Sequence, residues 1–393
     1  MALACSLLAG CTPAPPAAPG APPSAQSPSA TAPSATAPTS TPTQAPEPTR
    51  PTQACLAEAA ALPLRSQAGQ LLMVGVDGGL GTAERRALAD HRVGSVVLLG
   101  DQSGGVSATR TLTRRLARIH PDAALLVAAD QEGGSVQRLT GPGWGRIPSA
   151  ARQAELTTGQ LRRSAAGWGS RLARAGVLLD LAPVADVVPT RKLRTNQPVG
   201  RLGRGYGSDP EKVAASTGAV IAGLADAGVA ASVKHFPGLG EVVGNTDHTG
   251  GVVDRVTHAS SAALRPFRAA VSGGVASVMV SSATYQRIDP ERQAVFSPKV
   301  VGLLREWGYE GVVISDDLGA AVSARAVPAA QRAVRFVAAG GDLVINADPA
   351  LTAAMAGGII RRARRDPAFA DRVTQSAARV LRLKRDLGLY TCG

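Results

Sequence analysis

From residue 71 onward, short unbroken apolar runs alternate with longer segments in which apolar residues recur at helical spacing. The runs are LLMVGV (71–76), VGSVVLLG (93–100), ALLVAADQ (124–131), VLLDLAPVADV (177–187), ASVKHFP (231–237), SVMVSSAT (277–284), GVVISDDL (311–318) and DLVINAD (342–348). Strands buried on both faces read this way. The intervening periodicity predicts helices over 82–91, 107–119, 151–175, 210–228, 259–272, 296–307 and 322–339, and a last one over 366–387. Eight strand–helix units in series predict an α/β fold, a closed (β/α)8 barrel of the TIM type in a single domain. The alternative is an open doubly wound sheet, which is weakened because no glycine fingerprint follows the first run.

The pattern is absent from the N-terminal segment. Residues 1–11, MALACSLLAGC, are apolar and end in small residues and Cys11. Such a run resembles a bacterial lipoprotein signal whose cysteine is lipidated, although no basic leader precedes it. Residues 12–53 are almost wholly Pro, Ala, Ser, Thr, Gly and Gln. They cannot bury enough apolar surface to offset their ordering entropy and read as a disordered, partly polyproline linker. In that form the linker would reach on the order of 100 Å. Residues 54–393 are left for the barrel. No other run reaches the roughly 18 apolar residues of a spanning helix. The expectation is therefore an extracytoplasmic domain that meets a membrane only through a lipid.

Composition adds three constraints. Aromatic residues are 3% of the chain, so Ala, Val and Leu must fill the core. The net charge is +13, and only five of the 42 basic residues are lysines (Lys192, Lys212, Lys234, Lys299, Lys384). That balance suits an anionic wall or membrane surface, and it is also what a GC-rich coding bias produces. No basic stripe interleaved with aromatics argues for nucleic acid. Beyond Cys5 and Cys11, the remaining cysteines are Cys55 and Cys392, at opposite ends of the predicted domain. Domain termini are often close in space, and outside the cytoplasm such a pair oxidises. A Cys55–Cys392 disulfide would close a very long loop, for which chain entropy gives an upper figure of about 5 kcal/mol.

In a barrel of this kind chemistry sits at the C-terminal ends of the strands. Those ends carry Asp130, Asp186, Lys234, His235, Asp316, Asp317, Asn346 and Asp348. The set is rich in carboxylates and lacks cysteine. Metal-ligand spacing, a nucleophilic serine elbow and a phosphate loop are all missing, so no metal or cofactor is expected. Acid–base and nucleophilic chemistry on a hydroxyl-rich substrate fits, and a glycosidic bond needs two such groups on opposite sides.

Five segments then make the reading specific: DQEGGSVQR (130–138), LDLAPVADV (179–187), GRGYGSDP (203–210), KHFPGLG (234–240) and GVVISDDLG (311–319). In this order, over roughly residues 63–388, the chain resembles a family 3 glycoside hydrolase of the β-N-acetylhexosaminidase type. The resemblance implies a retaining exo-glycosidase that releases terminal non-reducing β-linked N-acetylglucosamine from cell-wall or related glycans. It implies Asp316 as the nucleophile, with Asp317 supporting it. Asp130 and Arg138, Arg204, and the pair Lys234 and His235 match residues that hold the sugar.

The chain departs from the family after KHFPG. There the family carries Asp-x-His, the histidine being the general acid/base and the aspartate its orienter. Here those places fall on Asn245 and Asp247, and His248 stands one residue later. Either Asp247 is the acid/base, which needs a carboxyl pKa raised by burial, or the loop shifts by one residue and His248 serves. Asp247 is the preferred reading. Residues 239–250 are expected to form a flexible loop closing over the sugar. Ser282 also stands where the family's sixth strand often has histidine. A β-glucosidase or phosphorylase of the same family, or an inactive glycan-binding lipoprotein, remain the alternatives. The protein is expected to act as a monomer on a carbohydrate.

Overall fold

The computed structural model describes residues 50–120 and 124–392. The lipoprotein-type signal, Cys11 and the linker up to residue 49 lie outside the described residues.

Eight parallel strands follow the eight apolar runs: β1 Leu72–Asp77, β2 Ser95–Leu99, β3 Leu126–Ala129, β4 Leu179–Asp180, β5 Ala230–Phe236, β6 Ser277–Val280, β7 Val312–Ser315 and β8 Val344–Asn346. Each pairs with its neighbours in sequence order, and β8 also pairs with β1, Leu72 opposite Val344. A bridge from Ile314 to Leu343 closes the ring between β7 and β8. The fold is a (β/α)8 barrel, as the run pattern predicts.

Its interior is filled by Met73, Val97, Leu126, Ala128, Leu179, Leu181, Met279, Ile314 and Ile345 without a single aromatic ring. Period-two alternation sends the other residues of each strand outward, where Val74, Val96, Val127, Val233, Val278 and Val313 meet the helices. Both faces are apolar, which is why the strands read as unbroken runs.

The helices follow the expectation with several differences, among them an unpredicted helix Leu64–Gln70 and a 3-10 turn, Ala262–Leu264, ahead of the helix Arg265–Ser272 where 259–272 is predicted. The predicted helix 151–175 is two pieces, Ala150–Gln153 and Thr158–Ala175. Thr157 and Gln160 form a capping box that starts the second piece afresh. The predicted helix 322–339 becomes a 3-10 turn, Val322–Ala324, and a helix Ala329–Ala338 that starts after Pro328. A helix Thr352–Ala363 has no counterpart in the predicted pattern. Its Gly357-Gly358 pair lowers its propensity, yet Gly358 is needed, since a Cβ there would lie 2.3 Å from Ala330 O.

The face holding the strand starts is closed by the helix Pro367–Asp386, which lays Val380 and Leu383 on the interior cluster. A first helix, Arg50–Ala61, packs on it. It includes residues 50–53, which the composition assigns to the linker. Cys55 and Cys392 form a disulfide at this face, with their Cα atoms 4.9 Å apart. No helix among the described residues is long and apolar enough to cross a membrane.

Candidate active site

At the opposite face, the strand ends surround a cavity of about 340 Å³. Its lining includes every candidate catalytic and sugar-binding residue from the sequence: Asp130, Arg138, Arg204, Lys234, His235, Asp247, His248 and Asp316. A larger cavity, about 620 Å³, lies at the face of the strand starts, around Ala230, Val312 and Arg379. Its arginines are engaged, Arg379 by Asp342 and Arg382 by the Glu310 carbonyl, so the converging reactive groups are all at the first cavity.

One wall is a charged network. Lys234, at the end of β5 and 2% exposed, places Nζ 2.5 Å from Asp130 Oδ1 and 2.6 Å from Glu132 Oε1. Glu132 in turn accepts two bonds from Arg204, 2.9 Å from Nε and 2.7 Å from Nη2. Paired in this way, buried charges are tolerated. Burial alone would raise the Glu132 carboxyl, but Arg204 and Lys234 outweigh it and hold it well below the usual range. Burial lowers the Lys234 ammonium, and Asp130 and Glu132 more than reverse this. Arg138 lines the cavity with its guanidinium exposed.

Sequence patterning does not single out Glu132. After β3 a small hairpin, Gln131–Gly133 against Val136–Gln137, folds it back into the network. Its only signal is its place inside DQEGG. Behind the network, burial pushes the Asp180 carboxyl up to about 7, against the hydrogen bond it accepts from Gln131 N at 3.0 Å.

His235 is fixed by Asp186, which is completely buried. Asp186 Oδ2 lies 2.8 Å from His235 Nδ1, while Oδ1 accepts the His235 and Leu239 main-chain N–H groups at 3.0 and 2.9 Å. Nε2 lies 3.5 Å from Arg204 Nη2. With Arg204 as donor, Nε2 accepts and the proton sits on Nδ1. The Lys234–His235 and Phe236–Pro237 peptides are cis.

Asp316 follows β7 at the cavity floor. Its Oδ1 accepts from Asp317 N at 3.0 Å, and Thr246 Oγ1 lies 3.5 Å from its Oδ2. Burial raises its carboxyl to about 6, with the charge of Asp247 as the next cause. Asp247 is thus close enough to influence Asp316 although it is well removed from the end of the fifth run. His248 lines the cavity beside it, and both residues are exposed, so the burial expected of a carboxyl acid/base is not found at Asp247.

The loop that carries Asp247 is expected from the sequence to be flexible. In the structure it is docked. Asn196 Nδ2 donates to Leu239 O and Val242 O at 2.7 and 2.9 Å, Gln197 N to Val243 O at 3.0 Å, and Val322 N to Asp247 O at 3.1 Å. Asn196, fully buried, is invisible to sequence reasoning because it sits in an irregular stretch between β4 and its helix.

A half-buried carboxylate at a barrel strand end, a second carboxylate above it and a charged wall able to hold hydroxyls suit a barrel enzyme for polar, hydroxyl-rich substrates. Among the described residues no group of three or more His, Cys, Asp or Glu is arranged to hold a metal ion. Residues 63–383 match the family described as Glycosyl hydrolase family 3 N terminal domain. The chain belongs to that family and is a glycoside hydrolase. A beta-hexosaminidase of Alkalilimnicola ehrlichii is 36% identical over 287 residues, 70% of this chain and 79% of that protein. The crystal structure of a beta-N-acetylhexosaminidase from Beutenbergia cavernae superposes with a TM-score of 0.81 at 42% identity, covering 83% of this chain and 99% of that one. A family 3 beta-N-acetylglucosaminidase from a Paenibacillus species gives 0.74 at 28% identity, covering 84% of this chain and 63% of that one.

Proposed function

We propose that the protein is a retaining exo-hydrolase of terminal β-linked N-acetylglucosamine, acting as a monomer on cell-wall or related glycans. The observation that carries the mechanism is the Asp316–Asp247 pair: one carboxylate on the cavity floor, the other on a docked loop and felt by the first. Asp316 attacks C1 of the sugar as the bond from C1 to the leaving oxygen breaks, and Asp247 gives that oxygen its proton. A glycosyl ester on Asp316 results. Asp247 then takes a proton from water, whose oxygen bonds to C1 and frees Asp316 as a carboxylate. Asp130, Lys234, His235, Arg204 and Arg138 hold the sugar hydroxyls. The choice of N-acetylglucosamine rests on the Paenibacillus relative, which is named a beta-N-acetylglucosaminidase.

The acid/base is assigned to Asp247 over His248 because its place on the loop is fixed, its carbonyl accepting from Val322 N at 3.1 Å and its neighbour Thr246 facing Asp316 Oδ2. Comparing an aryl β-N-acetylglucosaminide with the matching β-glucoside tests the substrate, and adding phosphate tests hydrolysis against phosphorolysis. The proposal expects the N-acetyl substrate to be turned over faster by at least ~10-fold, in line with what a site built to contact a polar substituent discriminates. It also expects no acceleration by phosphate, because an anionic Asp247 repels it. Asp247→Asn should lose most activity and His248→Ala little; the reverse would transfer the role to His248. Residues 1–53 are proposed to hold the enzyme outside the cytoplasm, through a lipid on Cys11. Metabolic labelling with a radioactive fatty acid, lost in Cys11→Ala, tests that.

A further inference from the structure

Asp317, next to the proposed nucleophile, also lines the cavity, but its carboxylate is taken up by main-chain donors. Its Oδ1 accepts from Gly319 N at 2.8 Å and Ala347 N at 2.9 Å. Its Oδ2 accepts from Ala320 N and Ala321 N, both at 2.8 Å. A carboxylate has about four lone-pair sites, so main-chain donors occupy the whole group and little remains for a sugar.

The segment these bonds hold leads directly to the loop after β5. The 3-10 turn Val322–Ala324 begins one residue on, and its first two N–H groups donate to that loop: Val322 N to Asp247 O at 3.1 Å and Ser323 N to Thr246 O at 3.2 Å. Gln293 braces the turn from behind, its Nε2 donating to Ser282 O at 2.8 Å and Ser323 O at 2.9 Å. The circuit closes on the catalytic floor, where Thr246 Oγ1 faces Asp316 Oδ2.

We propose that Asp317 is a positioning residue: by holding main chain 319–321 it places Val322 and Ser323, which set Thr246 and Asp247 over Asp316. The inference rests on the reading of Asp247 as the acid/base. It follows that nucleophile and proton donor are referenced to one rigid point, the Asp316–Asp317 pair at the end of β7. Catalysis is sensitive to such placement, a shift of about 1 Å costing on the order of 10²-fold.

Asp317→Asn is the informative variant. It keeps size and shape, but its amide nitrogen must face two main-chain N–H donors. Val322→Pro is the second variant, and it leaves Asp317 untouched. It deletes only the N–H that holds Asp247 O. Proline is compatible with the first position of a turn, and Ala321, at φ −57° and ψ 134°, already has the conformation favoured before proline.

Each variant, and Asp247→Asn, is assayed on two aryl β-N-acetylglucosaminides. One has a poor phenol leaving group; the other has 2,4-dinitrophenol, which departs without a proton. Removal of a general acid costs roughly 10²–10⁴-fold where the proton is needed, so Asp247→Asn should show that loss in kcat/KM on the poor leaving group alone. Its kcat on either substrate also carries the loss of Asp247 as base in ester hydrolysis. Asp317→Asn should lose about 10- to 100-fold in kcat/KM on the poor leaving group, with kcat/KM on the dinitrophenyl substrate nearly unaffected. Val322→Pro should show the same pattern more weakly. In an Asp247→Asn background, Asp317→Asn should add almost nothing, the sign of two residues acting as one unit.

Equal slowing of both substrates by Asp317→Asn, or an undiminished effect in the double variant, overturns the inference while leaving the acid/base reading intact. Absence of leaving-group dependence in Asp247→Asn itself overturns both. Should Asp317→Asn fail to fold, Val322→Pro decides: a uniform effect on the two substrates, or none, overturns the inference.

Discussion

Glu132 is the residue on which the charged wall turns, since it contacts both Arg204 and Lys234. Replacing one member of a buried ion network strands the others, at a cost of about 3–5 kcal/mol. Glu132→Gln should therefore lower the unfolding free energy by that order in chemical denaturation, besides weakening substrate binding. Asp316→Asn should fold normally and lose on the order of 10⁴-fold or more in kcat. Because Asp316 must be ionised to attack, its raised carboxyl sets an acid limb: kcat/KM should rise with pH and level off above about 6. Asp247→Asn removes one cause of that shift, so the limb of its residual activity should move to lower pH. The same shift works against the fold, because a proton held more tightly in the native state favours it at acid pH and the advantage is lost as pH rises through 6. The charged residues at strand ends are legible in the sequence because each breaks an apolar run at the point where a barrel strand reaches its open end. Glu132 is harder to read, and so is the pairing of Asp186 with His235. Which carboxylate meets which cation depends on a hairpin and a loop, and neither leaves a periodic signature.

Strands are more legible than helices. Barrel strands are apolar on both faces, so composition alone marks them. The helices blur where capping chemistry intervenes, at Thr157 and Pro328, or where close packing requires glycine, at Gly358. The loop after β5 lies where the sequence places it, but its docking is not visible there, since it depends on main-chain bonds to residues 196–197 and 322–323. Gly240 shows how tightly it is held, because a Cβ there would lie 1.8 Å from Val187 O. Gly240→Ala should thus push the loop off its seat and lower kcat by at least ~10-fold, through misplacement of Asp247. Steady-state kinetics on an aryl β-N-acetylglucosaminide, alongside a circular dichroism spectrum matching the wild type, checks this.

The two faces of the barrel divide the work. Strand ends carry chemistry; strand starts carry closure, with the helix Pro367–Asp386 as floor and the Cys55–Cys392 disulfide tying the first helix to the C-terminus. The cysteines are 337 residues apart in sequence, so reduction should lower stability by up to about 5 kcal/mol, read as a fall in Tm on adding dithiothreitol, with activity below the transition unchanged. The central claim is that Asp316 forms a covalent bond to the sugar. Its most direct test is mass spectrometry of the enzyme after reaction with a 5-fluoro-N-acetylglucosaminyl fluoride, which slows breakdown of the ester. One added sugar is expected, on the peptide containing Asp316 and absent in Asp316→Asn. An unlabelled enzyme that still turns over the parent substrate, or a label on another residue, would contradict it.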